Sequence, residues 1–419
     1  MRYFIKRTAM KQMQVVFEQA VYRGCGIDVH KDTVVATIKG EGIKEETRTF
    51  STFTSSLREL SAWLKGQGIT HVAMESTGVY WKPVYNILDP DFELILVNAR
   101  HIKHVPGHKT DRKDSAWIAK LLLSGLLKGS FIPAKPSREL RELYRYKRKL
   151  IGQRVSECNR MQKVLEDANI KLGSVVSDVF GVSGWAIVEA IIGGVEDPQA
   201  LAELARGRLR GKKAELEKAL EGRITDHHRF MLSLSRTAKE SINQLIDRVD
   251  ERIDTYLAQY EAERKRLQTI PGVQKQTATA ILAEIGADMS AFPSHHHLAS
   301  WCGICPGNNE SAGKKKSERT THGNKSLKTA LVEAAWAASH VKDSYLQRRY
   351  TSLALRRGKK KALIAIAHKI LTAAYFILKD QVDYQEPNNV AWLEKRKQAQ
   401  IRSYLKRLHE LGVLAPSQL

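Results

Sequence analysis

The order of strand-like and helical patterns between residues 23 and 123 restricts the folds open to this chain more than any other feature. Three β-rich runs come first, at residues 23–30, 33–39 and 43–52, and turn-like His-Lys-Asp and Gly-Glu-Gly segments separate them. This spacing predicts an antiparallel meander. Helical and strand-like patterns then alternate, giving the order β-β-β-α-β-α-β-α. By analogy at the level of the fold, that order is the plan of a ribonuclease H-like α/β domain.

Two carboxylates, Asp111 and Asp114, lie three positions apart at the start of the last helix of this region. Residues at that spacing share one helix face, so both can face a single cation. The helix dipole also favours acids in the first turn, and this simpler explanation needs no metal. Two further acids favour the metal: Asp28 in the first strand and Glu75 at the end of the fourth each interrupt an apolar run.

Burying an unpaired carboxylate in an apolar strand is costly, and a bound divalent cation offsets that cost. In the ribonuclease H-like plan, the strands of Asp28 and Glu75 are neighbours and the last helix brings Asp111 and Asp114 beside them. We therefore predict a site for two Mg²⁺ ions, with Mn²⁺ as a substitute, suited to phosphodiester chemistry. Taken singly, Asp28 could instead open a turn, and Glu75 could cap a helix.

The charge of the chain predicts a polyanionic partner. It has 68 lysine and arginine residues against 45 aspartate and glutamate residues, a formal net charge of +23, which indicates nucleic acid most simply. Candidate phosphate contacts lie around the acidic pair, in an Ile-Pro-Gly-Val turn that resembles a helix-hairpin-helix, and in a basic loop near residue 315. These candidates are Lys109, Arg112, Lys113, Gly272, Lys314, Lys315, Lys316 and Arg319.

The domain plan combines an α/β part with an all-α part. Residues 1–22 are predicted to be a basic lead-in, and residues 23–135 are predicted to form the ribonuclease H-like domain. Residues 136–266 predict two long helices that pair as an antiparallel, coiled-coil-like arm for oligomerisation, with an ordinary helical bundle as the alternative. Residues 267–380 predict a mostly helical C-terminal domain with the helix-hairpin-helix-like turn, and residues 381–419 form a charged tail.

Neither a membrane segment nor a disulfide framework is expected. No run approaches the roughly 18 apolar residues of a spanning helix, and the N-terminus lacks the pattern of an export signal. Four cysteines in a chain of this length do not make a disulfide scaffold. We therefore expect a cytoplasmic, nucleoid-associated protein. Cys302 and Cys305 have a spacing typical of metal ligands, and three histidines lie just upstream in the sequence. Small buried thiols explain the pair more simply.

Five stretches of the chain, spread over about residues 23–380, resemble a known family in sequence and in order. They are GIDVHKDTVVATI, AMESTGVYWKPVYNIL, LVNARHIKHVPGHKTDRKDSAWIAKLL, IPGVQKQTATAILAEIG and LASWCGICPGNNESAGKKKSERTTHGNKSLKTAL. They are similar to the DEDD-type insertion-sequence transposases, the group guided by a bridge RNA, also called seek RNA. The combination of Lys-Thr-Asp-x-x-Asp with the downstream Glu-Ser-x-Gly segment is very specific.

The resemblance implies a RuvC-like domain whose four metal-binding acids fall on Asp28, Glu75, Asp111 and Asp114. It also implies a catalytic serine, which falls on Ser311 in the C-terminal domain. Family members cut and rejoin DNA through a covalent phosphoseryl intermediate, while a bridge RNA pairs with donor and target DNA. The expected partners are therefore DNA, a guide RNA and further copies of the chain, as a dimer or a dimer of dimers. Ala312 departs from the glycine or small polar residue of many members.

Two alternatives stay open at this point. A structure-selective endonuclease of the Holliday-junction type would use water as its nucleophile and would need no serine. A catalytically idle nucleic-acid-binding protein would keep the fold alone. Ser311 can itself be an ordinary solvated loop serine. To act as a nucleophile it would have to be deprotonated or coordinated, because a serine hydroxyl is otherwise weakly nucleophilic.

Overall fold

The computed structural model describes the backbone of residues 21–76, 78–98, 111–306, 309–311, 314–317, 319–387, 398, 401–405 and 407–408. The side chains of residues 111–113, 309–311 and 314–317 lie outside this description, as do the predicted lead-in up to residue 20 and most of the predicted tail. The chain divides into two compact units, Met1–Ile132 and Pro133–Leu419. The finer division predicted from the sequence stays a prediction.

A five-stranded mixed sheet forms the centre of the first unit, in the order β3-β2-β1-β4-β5. The strands are β1 (Arg23–Val29), β2 (Thr33–Gly40), β3 (Glu46–Ser51), β4 (His71–Glu75) and β5 (Glu93–Val97). The first three pair antiparallel, which is the predicted meander, whereas β4 joins β1 and β5 joins β4 in parallel. This sheet is compatible with a ribonuclease H-like domain.

Helices cover both faces of the sheet. The three helices described are α1 (Thr54–Gly66), α2 (Trp81–Leu88) and α3 (Asp111–Leu123). Apolar side chains of α1 and α2 join Cys25 and Ile27 of β1 in the larger core. On the opposite face, Ile118 and Leu122 of α3 pack with Ala73 of β4. Alternate residues of each strand therefore face different helices.

Two long helices form the start of the second unit, α4 (Lys135–Asp167) and α9 (Asp226–Leu257). Their side chains meet in reverse order along the chain. Tyr256 donates a hydrogen bond to Glu139 at 2.5 Å, and Arg154 donates one to Asn243 at 3.2 Å. The helices therefore run antiparallel, as the sequence predicted for the arm.

A small helical lobe connects α4 to α9. It contains α5 (Leu172–Val175), α6 (Val182–Ile192), α7 (Pro198–Glu203), a 3₁₀ turn (Gly207–Lys212) and α8 (Lys213–Leu220). Its apolar core includes Met161 and Leu165 of α4 as well as Ile187 and Val188 of α6. The lobe therefore shares its core with the far end of the long helix pair.

The rest of the second unit is mostly helical, as predicted. Its helices are α10 (Glu261–Gln268), α11 (Lys275–Ile285), α12 (His295–Cys302), α13 (Lys325–Ala338), α14 (Tyr345–Arg357) and α15 (Lys359–Asp380). A two-stranded hairpin, β6 (Asn309–Ser311) and β7 (Lys314–Ser317), lies between α12 and α13 in the chain.

Helix α15 is long and apolar enough to cross a membrane, judged by length and composition alone, a feature that the sequence analysis did not expect. Half of its most apolar window is buried inside the unit. The buried residues include Ile366, Ile370, Leu371 and Tyr375. A core helix of a folded domain has this arrangement.

Candidate active site

Asp28 and Glu75 lie at the carboxyl ends of two adjacent parallel strands. The register of β1 and β4 pairs Gly26 with Ala73 and Ile27 with Met74, so Asp28 and Glu75 come next on their strands. Paired residues on neighbouring strands point to the same face of a sheet. Ala73 packs against α3, and side chains alternate along a strand. Both carboxylates therefore belong to the face that α3 covers.

Two glycines let α3 lie directly against β1 on that face. A Cβ on Gly26 would fall 2.2 Å from the carbonyl oxygen of Ser115, and a Cβ on Gly24 would fall 2.7 Å from Leu122 Cδ2. A Cβ on Gly26 would meet backbone atoms of the helix, so only glycine permits this approach there, whereas a Cβ on Gly24 would meet the end of a leucine side chain. Gly24, Gly26 and Asp28 share the face, because side chains alternate along the strand.

The alignment of α3 with β1 places the acidic pair of the helix near the end of the strand. The helix runs antiparallel to β1, since Leu122 lies beside Gly24 and Ser115 beside Gly26. Two strand residues span about 6.7 Å, which corresponds to about four or five helical residues. Two residues beyond Gly26 on β1 is Asp28. The same distance along the helix from its contact with Gly26, towards its start, leads to its first turn, whose backbone carries Asp111 and Asp114.

A chain of hydroxyl groups fixes the start of α3 on the sheet. Ser115 Oγ lies 2.7 Å from Thr37 Oγ1 of β2, which in turn lies 2.8 Å from Thr47 Oγ1 of β3. Ser115 and Thr37 are fully buried. A polar link inside an apolar interface sets the rotation of the helix, and hence the direction of Asp114. Sequence reasoning missed this link, although Thr37 and Ser115 each place a hydroxyl group on an otherwise apolar face.

Asp28 is a mostly buried carboxylate beside a histidine. Its side chain is 12% exposed, and its Oδ2 atom lies 3.2 Å from Nε2 of the half-exposed His30. Glu75 and Asp114 are half-buried. Carboxylate oxygens are the ligands that Mg²⁺ prefers, so the donor set suits this ion. Among the side chains that the structure describes, no three acidic, histidine or cysteine groups form a metal site; the side chain of Asp111 is outside that set.

Ser311 ends a β-strand, where the sequence analysis had interpreted the segment as a loop. β6 and β7 pair antiparallel, and the register places Ser311 opposite Lys314. The loop interpretation was wrong for these residues because strands of three and four polar or charged residues have no apolar alternation. The ends of the hairpin also meet: Pro306 bridges Thr320, and the amide of Thr321 donates to the carbonyl of Cys305 at 3.2 Å.

The predicted phosphate contacts are only partly within the described structure. Lys109 lies outside the described residues, as do the side chains of Asp111, Arg112, Lys113, Ser311, Lys314, Lys315 and Lys316. Arg319 is exposed next to β7. Gly272 has φ +84°, and a Cβ there would fall 2.5 Å from the carbonyl oxygen of Ala334 in α13. Helix packing therefore explains this glycine, and its phosphate contact stays a prediction.

Cys302 and Cys305 are free thiols. Burial raises the pKa of the Cys302 thiol to about 12 and also raises the pKa of Cys305. Both thiols are therefore protonated near neutral pH. Cys302 is buried and Cys305 is half-buried.

Two family models match the chain. A DEDD transposase model of the IS110 group, described as "Transposase", matches residues 25–170, and a model of the "Transposase IS116/IS110/IS902 family" matches residues 264–351. Together they match more than half of the chain. The chain belongs to the DEDD-type insertion-sequence transposase family. The first match includes all four acids, and the second includes Ser311.

Individual relatives agree with this family. The transposase is 22% identical over 392 residues to the "Transposase for insertion sequence element IS1111A" of Coxiella burnetii, covering 91% of this chain and 93% of the relative. It is 24% identical over 319 residues to an insertion element IS110 protein of Streptomyces coelicolor (67% and 73% covered). A pilin gene-inverting protein of Moraxella bovis is 34% identical over 116 residues, 27% of this chain and 36% of that protein. The chain is therefore an enzyme, a DNA transposase or recombinase.

Proposed function

We propose that this transposase cuts and rejoins DNA strands with the carboxylate site of its first unit and with Ser311 of its second. The observation that carries the proposal is the register of β1 and β4, which brings Asp28 and Glu75 to one edge of the sheet. Family membership favours strand transfer over a junction nuclease or an idle binder. The net charge of +23 supports DNA and guide RNA as partners.

The acids would act together on Mg²⁺. Asp28, Glu75, Asp111 and Asp114 would hold two ions, which supply positive charge against the developing charge of a phosphodiester and make a hydroxyl group more acidic. The hydroxyl link from Ser115 to β2 holds the first turn of α3 in place. The side chain of Asp28 is 12% exposed.

Ser311 would supply the nucleophile. A bond forms between Ser311 Oγ and the phosphorus as the bond from phosphorus to a sugar oxygen breaks. The serine loses its proton, and the departing sugar oxygen takes up a proton to become a hydroxyl group. The phosphoseryl bond conserves the phosphodiester, so a hydroxyl group of another strand can attack it, join the DNA and restore the serine. Lys314, Lys315, Lys316 and Arg319 offset phosphate charge.

Substitution of the serine tests this mechanism. The full chain, its copurified RNA and a plasmid carrying its flanking DNA are assayed with Mg²⁺ for recombination and for a covalent protein–DNA adduct. We expect Ser311→Ala and Asp111→Ala to abolish both, whereas Ser317→Ala, in the same hairpin, keeps both. Recombination by Ser311→Ala at the wild-type rate would show that the serine mechanism is wrong. Metal-dependent cleavage without an adduct would support the water-using nuclease.

RNA guidance and assembly need separate measurements. We expect a structured transcript from the DNA beside the reading frame to copurify with the protein, and ribonuclease treatment to abolish recombination. Changing the paired bases of that RNA should redirect recombination to matching DNA. We also propose that the enzyme acts in the cytoplasm as a dimer or a dimer of dimers, which mass photometry of the RNA complex measures directly.

A further inference from the structure

Glu284 is a second buried acid, far in the chain from the carboxylate site. Of the charged side chains that the structure describes, Asp28 and Glu284 are buried, and Glu284 has no exposed surface. It lies near the end of α11, within the second unit. A buried carboxylate that serves only to fill space is destabilising unless it is fully paired, so its partners indicate its role.

The partners of Glu284 come from two other helices. Arg145 of α4 donates two parallel hydrogen bonds, one to each carboxylate oxygen, both at 2.8 Å. Arg141, one turn earlier on α4, donates to the backbone carbonyl of Glu284 at 2.5 Å and lies 3.4 Å from its carboxylate. Asn324 Nδ2 donates to the same carboxylate at 2.6 Å. The carboxylate thus joins α4 to the residue that precedes α13.

Asn324 uses both ends of its amide group. While its nitrogen donates to Glu284, its oxygen accepts a hydrogen bond from the backbone amide of Leu327 at 3.0 Å and so caps α13. The amide can satisfy both partners in one orientation only. The position of the first turn of α13 is therefore tied to the carboxylate of Glu284.

The first turn of α13 in turn holds the base of the β6–β7 hairpin. Lys328 Nζ donates to the carbonyl of Gly303 at 3.0 Å and to Thr320 Oγ1 at 2.5 Å, so it connects the two chain segments that enter and leave the hairpin. Gly323 lies against Gly303, and a Cβ on Gly323 would fall 2.4 Å from the backbone nitrogen of Gly303. These contacts tie the position of both segments to the start of α13.

We propose that Glu284, through Asn324, is a positioning residue that sets the placement of the Ser311 hairpin on α4 and α11. The proposal rests on the proposed serine mechanism and deepens it. In that mechanism Ser311 must meet a phosphate in a defined geometry, and small misplacements of reacting groups cost large factors in rate. In this role Glu284 acts by fixing the cap of α13.

Asn324→Ser separates positioning from folding. Serine can still cap α13 with its hydroxyl oxygen, but it lacks the amide donor to Glu284. We expect the single-turnover rate of phosphoseryl adduct formation to fall about tenfold or more, with DNA affinity and melting temperature near those of the wild type. Glu333→Gln is the matched control. It removes the exposed Arg148–Glu333 ion pair, which also joins α4 to α13 at 3.1 Å but does not involve the cap, and should leave the rate unchanged.

A reciprocal exchange provides a rescue test. Glu284→Gln and Asn324→Asp should each slow adduct formation, the first by leaving the arginines without a carboxylate and the second by placing two carboxylates together. In the double variant the amide introduced at position 284 can donate to the carboxylate introduced at position 324, which can still cap α13. We expect the double variant to form adduct faster than either single variant.

The outcomes separate the two proposals. If Ser311→Ala abolishes the adduct while Asn324→Ser forms it at the wild-type rate, the positioning role is wrong and the serine mechanism stands. If Ser311→Ala still forms the adduct, the serine mechanism is wrong. A fall in DNA affinity that matches the fall in rate for Asn324→Ser would also overturn the positioning role, because it would indicate general damage to the unit.

Discussion

Gly26 of β1 lies against the backbone of α3, where a Cβ would fall 2.2 Å from the carbonyl oxygen of Ser115. This contact sets how far the acid-bearing helix can approach the strand that carries Asp28. The backbone on both sides is part of regular structure, so neither can retreat without moving the sheet or the helix. The spacing of the proposed metal site therefore depends on the absence of a side chain at one position.

Gly26→Ala should displace α3 and impair catalysis. We expect overpacking to lower the free energy of unfolding by about 1–3 kcal/mol and recombination to be nearly lost. Gly24→Ala is the control, because its Cβ would meet Leu122 Cδ2, the end of a flexible side chain that can change rotamer. Urea unfolding and the recombination assay measure both effects. Equal loss of activity in the two variants would contradict this account.

Removal of the buried hydroxyl of Ser115 should also weaken the site. Ser115→Ala leaves the Thr37 hydroxyl with one fewer partner in a buried interface. We expect a loss of about 1 kcal/mol in the free energy of unfolding and a larger relative loss in the rate of strand cleavage. The control is Ser124→Ala. Ser124 donates a hydrogen bond to the Lys120 carbonyl near the exposed end of the same helix. Wild-type cleavage by Ser115→Ala would show that the link does not orient α3.

The sequence predicted the parts of the structure that depend on short-range patterns. The meander, the strand-like runs of β4 and β5 and the acids that interrupt apolar runs could be read from local periodicity. The links that fix the geometry could not. Ser115 is 78 positions from Thr37, and Glu284 is 139 positions from Arg145. No local pattern indicates which distant hydroxyl or guanidinium a buried group will meet.

In the second unit too, local patterns predicted some elements and missed others. Its two long helices were predicted from composition and apolar spacing, and they were expected to pair as an antiparallel arm. The β6–β7 hairpin was missed because Lys314 to Ser317 are charged or polar on both faces. The segments at the base of the hairpin also meet, where the amide of Thr321 donates to the carbonyl of Cys305.

Glu284 should make the stability of the protein fall at acid pH. Burial alone would raise the pKa of this carboxyl, but hydrogen bonds from Arg145 and Asn324 and the charges of two arginines outweigh it and hold the pKa below its usual value. A carboxyl with a lowered folded-state pKa stabilises the protein above its unfolded pKa, near 4.5, and this contribution is lost as pH falls through the folded pKa.

The measurement is the free energy of unfolding against pH for the wild type and for Glu284→Gln. We expect the wild type to be more stable at neutral pH and the difference to shrink below about pH 4.5. Glu333→Gln, at an exposed ion pair, should follow the wild-type curve closely. A constant difference between wild type and Glu284→Gln from pH 7 to pH 3 would contradict the lowered pKa.

We expect removal of the proposed Mg²⁺ to change the stability of the first unit as well as its activity. Carboxylates gathered at one edge of the sheet repel one another, and a cation that binds only the folded form stabilises it by mass action. We expect Mg²⁺ to raise the melting temperature of the wild type and EDTA to reverse the rise. Asp28→Asn should abolish the shift, since its amide brings no charge to the site. The control, Asp89→Asn, replaces an exposed acid beyond the end of α2 and should keep the shift in full. If Mg²⁺ stabilises Asp28→Asn as much as the wild type, the ion binds elsewhere and Asp28 is not its ligand.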